Sequence, residues 1–152
     1  MNEACQQAEK FLNDIFAGCK LELGAQATDS DDGCLIELDG EDASLLRSEG
    51  GELLSAFEHI INQAFGRALP HGGRFICDVQ NYRATREAEL RAMARHAAER
   101  VRTTHSAFTF GPMNSNERRV IHLSLAEEPD LHTESIGEGN ARRLKVSLKA
   151  TS

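Results

Sequence analysis

The residues best placed to do chemistry in this sequence are an arginine and a histidine four positions apart, Arg118 and His122. Asn114 and Glu117 form a capping-box-like pair just before them, which predicts the start of a short helix. On a helix, Arg118 and His122 would share one face about one turn apart. Arginine is always charged, histidine titrates near neutral pH, and Arg119 lies beside them. This patch is suited to an anion, and phosphate is the anion that fits best.

The same residues offer little to an enzyme. His122, Arg118 and Glu117 could be drawn as an acid/base set, but such a triplet arises easily by chance at helical spacing. The sequence has no recognisable nucleophile elbow, no Walker loop and no metal-ligand spacing. We therefore expect no catalytic residues, no cofactor and no metal. Two purely structural alternatives remain open. His122 could be a packed or capping residue, and Arg118 could brace an internal carboxylate. Both alternatives predict buried side chains.

Further polar residues follow the predicted helix. Residues 131–136 and 142–148 alternate around Gly137-Glu138-Gly139-Asn140, which predicts a hairpin. Its cations could extend the phosphate patch, and its hydroxyls could donate to phosphate or ribose. Aromatic residues make up only 5% of the chain, so base stacking would be limited and binding would depend mostly on the backbone. The hairpin residues concerned are Thr133, Ser135, Arg142, Arg143 and Lys145.

Charge is unevenly distributed along the 152 residues. Residues 1–70 hold four Lys and Arg against 14 Asp and Glu, a net charge of −10, whereas residues 71–152 hold 13 against 10, a net charge of +3. A net-acidic protein is not the usual nucleic-acid binder, because affinity for phosphates rests on cations. If nucleic acid binds, the C-terminal half should therefore carry most of the electrostatic attraction.

Hydrophobic periodicity predicts a mixed α and β chain. The first half has the order helix, strand, strand, short helix, long helix, strand, and the second half begins with the longest helix. Residues 78–81 join the halves without a flexible linker. The predicted helices cover residues 3–18, 43–46, 52–67 and 82–102, and the predicted strands cover residues 20–25, 34–38, 74–79 and 106–110.

Several motifs together resemble a known family. Arg118-x-x-x-His122 matches the signature of the R-three-H domain, a single-stranded nucleic-acid-binding module named for that spacing. Tyr82-Arg83-x-x-Arg86 and Pro112-Met113 precede it, and Thr133-x-Ser135-x-Gly137-x-Gly139-x-x-Arg142 follows. The combination resembles the bacterial Jag family, in which a KH domain precedes the R-three-H domain. The resemblance implies an α+β fold, with an αββααβ KH-like domain at 1–79 and an R-three-H domain with a small antiparallel sheet at 80–152.

The KH loop departs from the family pattern. In KH domains a Gly-x-x-Gly loop clamps the nucleic-acid backbone. The matching residues here are Arg47, Ser48, Glu49 and Gly50, so the first glycine is missing and an acidic residue faces the phosphate position. We therefore expect a degenerate loop that is exposed but poor at holding phosphate.

The resemblance implies single-stranded RNA, or DNA, as the ligand. It also allows a KH-domain protein partner or a homodimer, and a regulatory role in cell envelope growth or division. The alternative function is a protein-interaction module whose acidic KH-like half docks a partner.

The remaining features favour a cytoplasmic protein. No apolar run is long enough to span a membrane, and no signal peptide is evident. Cys5, Cys19, Cys34 and Cys77 are widely spaced, so we expect reduced thiols. The acidic stretch 29–33 loosely resembles a calcium loop, but Asp39 stands where the glutamate ligand belongs, which favours a solvated turn.

Overall fold

The computed structural model, which describes residues 1–150, divides the chain into two compact units, Met1–Arg83 and Ala84–Ser152. Each unit combines helices with a three-stranded sheet and has its own hydrophobic core. The expected α+β class is therefore confirmed.

The first unit has the predicted αββααβ order. In its sheet, β2 lies in the middle, antiparallel to β1 and parallel to β3. The inner face of this sheet packs against α1 and α3, and the largest fully buried side chains include Leu12, Phe16, Ile36 and Phe75. The elements are α1 (Glu3–Gly18), β1 (Gly24–Ser30), β2 (Gly33–Asp39), α2 (Ala43–Arg47), α3 (Glu52–Phe65) and β3 (Arg74–Val79).

The first strand lies later in the chain than its predicted position at residues 20–25. Leu21 and Leu23 do pack against the core, as the alternation with polar residues suggests, but they lie in a loop and not in a strand. The backbone N–H of Glu22 donates to the Asp42 carboxylate at 2.7 Å, which ties this loop to the segment before α2. Local alternation imitated a strand here, while the strand pairing itself begins only at β1.

The acidic stretch forms a tight hairpin turn between β1 and β2. Ser30 pairs with Gly33, so only Asp31 and Asp32 lie outside the ladder. Gly33 has a φ of +139°, and a Cβ atom there would lie 2.2 Å from the carbonyl oxygen of Arg74. A larger residue would therefore separate β2 from β3 at this point.

The cysteines depart from the expectation of reduced thiols. Cys5 on α1 and Cys34 on β2, whose Cα atoms are 6.0 Å apart, form a disulfide. Cys19 and Cys77 are free, and Cys77 is buried. Burial, with a smaller effect of the nearby Glu58 carboxylate, raises the pKa of the Cys77 thiol to about 12, so this thiol is not an activated nucleophile.

The second unit builds a fully antiparallel sheet in the order β4-β6-β5. Its predicted first strand, residues 106–110, is shortened because the chain turns sharply after α4, where His105 has a φ of +56°. The core joins Leu90, Ala94 and Val101 of α4 to Ile121 of the next helix. The elements are α4 (Tyr82–Thr104), β4 (Phe108–Thr109), α5 (Ser115–Leu125), β5 (Leu131–Ile136) and β6 (Arg143–Leu148).

Candidate nucleic-acid interface

Helix α5 carries the Arg-x-x-x-His pair, and its N-terminus is fixed by a side-chain cap. The Asn114 Oδ1 atom accepts a hydrogen bond from the backbone N–H of Glu117 at 2.9 Å. Ile121 and Leu125 are buried, which confirms the inward face predicted for this helix. With that face packed, Arg119 and His122 are exposed and Arg118 is half-buried.

An ion pair that sequence reasoning missed anchors the same end of α5. Glu117 is 5% exposed, and within residues 1–150 it is the only charged residue in the buried class. Its carboxylate accepts a hydrogen bond from Arg86 Nε of α4 at 2.7 Å. Arg86 belongs to the Tyr82-Arg83-x-x-Arg86 motif, and this motif is the feature of the sequence that could have pointed to the ion pair. The arginine that braces an internal carboxylate is therefore Arg86 rather than Arg118.

The Arg118 guanidinium is oriented by the chain that precedes the helix. Its Nη1 atom donates to the carbonyl oxygen of Met113 at 2.6 Å. A guanidinium has five N–H donors, so this bond fixes the direction of the side chain without using up its capacity for phosphate. Arg118 is thus a positioned cation at the edge of the unit.

His122 is oriented by the sheet. Its Nδ1 atom lies 2.5 Å from the hydroxyl oxygen of Thr133 on β5. This contact joins α5 to β5 and brings two residues of the predicted site together. The exposed ring contradicts a packed histidine, and its other nitrogen, Nε2, is the atom left to meet a ligand.

The predicted hairpin residues divide between two faces of the sheet. Thr133 pairs with Val146 and Ser135 pairs with Leu144, and both partners are buried on the side of the helices. Directly paired residues share a face, so Thr133 and Ser135 belong with α5.

The cations of β6 lie on the other side. Arg143 and Lys145 alternate with Leu144 and Val146, which places them on the outer face of the sheet. The Lys145 ammonium lies 4.0 Å from the Glu134 carboxylate on that face. Arg142 is exposed in the connection before β6. Arg143 and Lys145 are therefore separate from the Arg118 and His122 group.

The loop matched to the KH Gly-x-x-Gly motif lies in the first unit. Arg47, Ser48 and Glu49 are exposed and Gly50 is half-buried. Glu49 has a φ of +56°, a conformation that favours glycine. The Arg47 guanidinium donates to the side-chain oxygen of Gln80, so this cation is engaged by the protein.

The hydrogen bonds continue from Arg47 through Gln80 to a further polar side chain. Gln80 Nε2 donates to Asp39 Oδ1 at 2.9 Å. This hydrogen bond, with a second from the backbone N–H of Gly40, holds the pKa of the Asp39 carboxyl below its usual range. These hydrogen bonds hold the Arg47 side chain against residues of the first unit.

The described residues offer neither a metal site nor a membrane-spanning helix. Among residues 1–150, no group of three or more His, Cys, Asp or Glu residues could hold a metal ion. Over the same residues, none of the helices is both long enough and apolar enough to cross a bilayer.

Comparisons with known proteins agree on one family. The family model of the R-three-H domain matches residues 88–148, which lie within the second unit. The protein from Bacillus subtilis named RNA-binding protein KhpB is 30% identical over 95% of this chain and 70% of its own length. Proteins of the same name from Clostridium symbiosum and Lactiplantibacillus plantarum are 26% and 27% identical over 94% and 96% of this chain.

The chain is shorter than these relatives. It spans 65% of the Clostridium symbiosum protein and 47% of the Lactiplantibacillus plantarum protein. The similarity nevertheless extends over both units, and the R-three-H match contains the Arg118 and His122 signature. The chain therefore belongs to the KhpB family of proteins, also known as the Jag family.

Proposed function

We propose that this chain binds single-stranded nucleic acid, most readily RNA, through a surface made of Arg118, Arg119, His122, Thr133 and Ser135. The observation that carries the proposal is the anchoring of its two central residues. Arg118 is held by the Met113 carbonyl and keeps N–H donors for a ligand, and His122 is held by the Thr133 hydroxyl and keeps its Nε2 atom for one. Positioned donors lose less conformational entropy when they meet a phosphate than free side chains do.

The ligand class follows from the charges. Two arginines and a histidine on one helix face suit a polyanion, and the unit that holds them lies in the net-positive half of the chain. The relatives named RNA-binding protein KhpB make RNA the first ligand to test. The role in envelope growth or division implied by the resemblance belongs to the same proposal.

The first unit has a different part in this proposal. We treat residues 1–79 as a KH-like domain with a degenerate loop and residues 80–152 as the R-three-H domain. The Glu49 carboxylate would repel a phosphate at the loop, and Arg47 is engaged by Gln80. The loop therefore adds little affinity for nucleic acid.

The test is fluorescence anisotropy with a 12-nucleotide single-stranded RNA at two salt concentrations. We expect Arg118→Ala with His122→Ala to weaken binding roughly tenfold or more at low salt, since each charge-assisted contact contributes about 1.5–3 kcal/mol and less when exposed. The slope of affinity against salt should become shallower, because fewer counterions are released.

Arg143→Ala with Lys145→Ala is the matched control. It removes two cationic side chains from the same unit, but from the outer sheet face, and we expect a loss of about twofold through the long-range field alone. Circular dichroism establishes that both variants are folded. Wild-type affinity in the Arg118 and His122 variant would reject the surface and favour docking of a protein partner by the acidic half.

A further inference from the structure

The sheet of the first unit has both of its edges covered by side chains. At β1, Asn13 of α1 exchanges two hydrogen bonds with the backbone of Ala25, at 2.8 and 3.1 Å. One turn earlier, Glu9 accepts from the backbone N–H of Ala27 at 2.7 Å. A helix thus supplies the hydrogen bonds that a further strand would make.

The same device recurs at the other edge of that sheet. Asn62 of α3 exchanges two hydrogen bonds with the backbone of Phe75, both at 2.9 Å. Glu58, four residues before Asn62, accepts from the backbone N–H of Cys77 at 2.9 Å. A Glu-x-x-x-Asn pair therefore bonds the backbone of two residues on each edge strand, Ala25 and Ala27 on β1 and Phe75 and Cys77 on β3.

The outer strand β5 of the second unit differs. The carbonyl oxygen of Leu144 accepts from Phe110 at 2.9 Å, so Leu144 directs its backbone groups to the β4 side of β6. Successive residues alternate, so the backbone groups of Arg143 and Lys145 face β5 and bond its residues Ile136 and Glu134.

The intervening residues of β5 therefore face outward. Thr133 and Ser135 oppose Val146 and Leu144 in the register and direct their backbone N–H and C=O groups away from β6. The N–H of Leu131, further along this edge, is already bonded to the carbonyl of Glu128 at 3.2 Å. Within residues 1–150, no protein group is seen to bond the N–H of Thr133 or Ser135.

We propose that this free edge of β5 binds the bases of a single-stranded nucleic acid through the backbone groups of Thr133 and Ser135. The inference rests on the proposed function and extends it from phosphate binding to base recognition. Every nucleobase has donors and acceptors on its Watson–Crick edge, which an unpaired N–H and C=O can meet. The edge would then supply a base-dependent part of the affinity.

A nucleic acid fits this edge better than a peptide strand because of what lies beside it. The Thr133 hydroxyl contacts His122, and Arg118 lies one helical turn before His122. A chain lying along the edge would have its own backbone near these cations. Phosphates gain from that position, whereas the backbone of a peptide carries no charge.

The test compares a 12-nucleotide single-stranded RNA with an abasic oligomer of equal length built from tetrahydrofuran phosphates. Ser135→Pro removes the outward N–H, and proline is tolerated in edge strands where the N–H faces solvent. We expect this variant to bind RNA roughly fivefold more weakly than Ser135→Ala does, the effect of one lost neutral hydrogen bond, and to bind the abasic oligomer as Ser135→Ala does. Ser135→Ala keeps the N–H, loses only the hydroxyl, and serves as the matched control.

A second measurement uses the wild-type chain and depends on no variant. Amide NMR signals of Thr133 and Ser135 should move further on adding RNA than on adding the abasic oligomer, whereas signals of α5 should move alike with both. Signals of Thr133 and Ser135 that respond alike to the two oligomers would overturn the inference. A Ser135→Pro variant that lost self-association instead of RNA affinity would overturn it too, since the edge would then pair copies of the chain.

These outcomes separate the inference from the proposed function. If wild type binds neither oligomer, or binds both regardless of Arg118, the phosphate surface itself is wrong. If Arg118→Ala weakens binding to both oligomers while Ser135→Pro leaves the preference for RNA unchanged, only base recognition by β5 is wrong.

Discussion

Removal of Arg86 should destabilise the unit that carries the proposed binding surface. The Glu117 side chain is 7% exposed and the Arg86 side chain 29%, and their charged atoms are 2.7 Å apart. In an Arg86→Met variant the aliphatic part of the side chain is largely kept, but the Glu117 carboxylate loses its charged partner in a desolvated position.

The magnitude follows from that burial. Breaking a buried ion pair by removing one partner costs about 3–5 kcal/mol. Because Arg86 is itself almost a third exposed, water can reach the carboxylate in the variant, and we expect about 2–3 kcal/mol. Replacing both residues, as Arg86→Met with Glu117→Leu, should restore much of this loss because no unpaired charge remains.

The assay is a double-mutant cycle read by amide hydrogen exchange of α5, since a single melting temperature is poorly defined for a chain of two units. The pair Glu87 and Arg91 on the same helix is the matched control. Its side chains are 49% and 60% exposed, so Arg91→Met should cost only about 0.5 kcal/mol or less.

Two results would refute this reasoning. A cost for Arg86→Met no larger than that of Arg91→Met would mean that the Arg86–Glu117 pair does not hold α5. A cost that stays the same when Glu117 is already leucine would show that Arg86 acts through some other contact. In either case the anchoring of α5 would need another explanation.

The remaining predictions concern the first unit. Asn62→Leu should lower its stability by about 2–3 kcal/mol, because Phe75 loses two backbone hydrogen bonds at a part-buried site, whereas the exposed Gln63→Leu should cost under about 0.5 kcal/mol. Amide hydrogen exchange of β3 measures both costs, and equal costs would show that the edge cover is not stabilising. Arg47→Gly with Glu49→Lys should strengthen RNA binding several-fold at low salt, through restored loop freedom and removed repulsion. Unchanged affinity in a titration would show that this loop does not limit binding.

Local patterns in the sequence were enough to predict most elements. The spacing of Leu90, Ala94 and Val101 gave the buried side of α4, and the Asn114 cap gave the start of α5. These features depend on residues within a few positions of one another, so periodicity and capping rules describe them.

The features that were missed depend on contacts between distant residues. Arg86 and Glu117 are 31 positions apart, and nothing local distinguishes that pair from the exposed charges around it. The disulfide of Cys5 and Cys34 likewise needs α1 placed against β2. Such contacts form when distant segments of the chain pack together, and the local spacing of residues does not predict that packing.

The division of the hairpin residues was missed for a related reason. Ile136 lies on the outer face of β5 with Glu134, so apolar alternation alone does not say which side of β5 is buried. Only the register with β6 places Thr133 and Ser135 on the helix side. The sequence was therefore enough to propose the candidate residues, but not to say which of them lie on the same face of the sheet.

The most direct test of the central claim is an NMR titration of the whole chain with a 12-nucleotide single-stranded RNA. We expect the largest amide shifts to fall on residues 115–122 of α5 and on Thr133 and Ser135 of β5. Shifts concentrated on residues 47–51, with α5 unchanged, would contradict it, because the nucleic acid would then lie on the KH-like loop and not on the Arg118 and His122 surface.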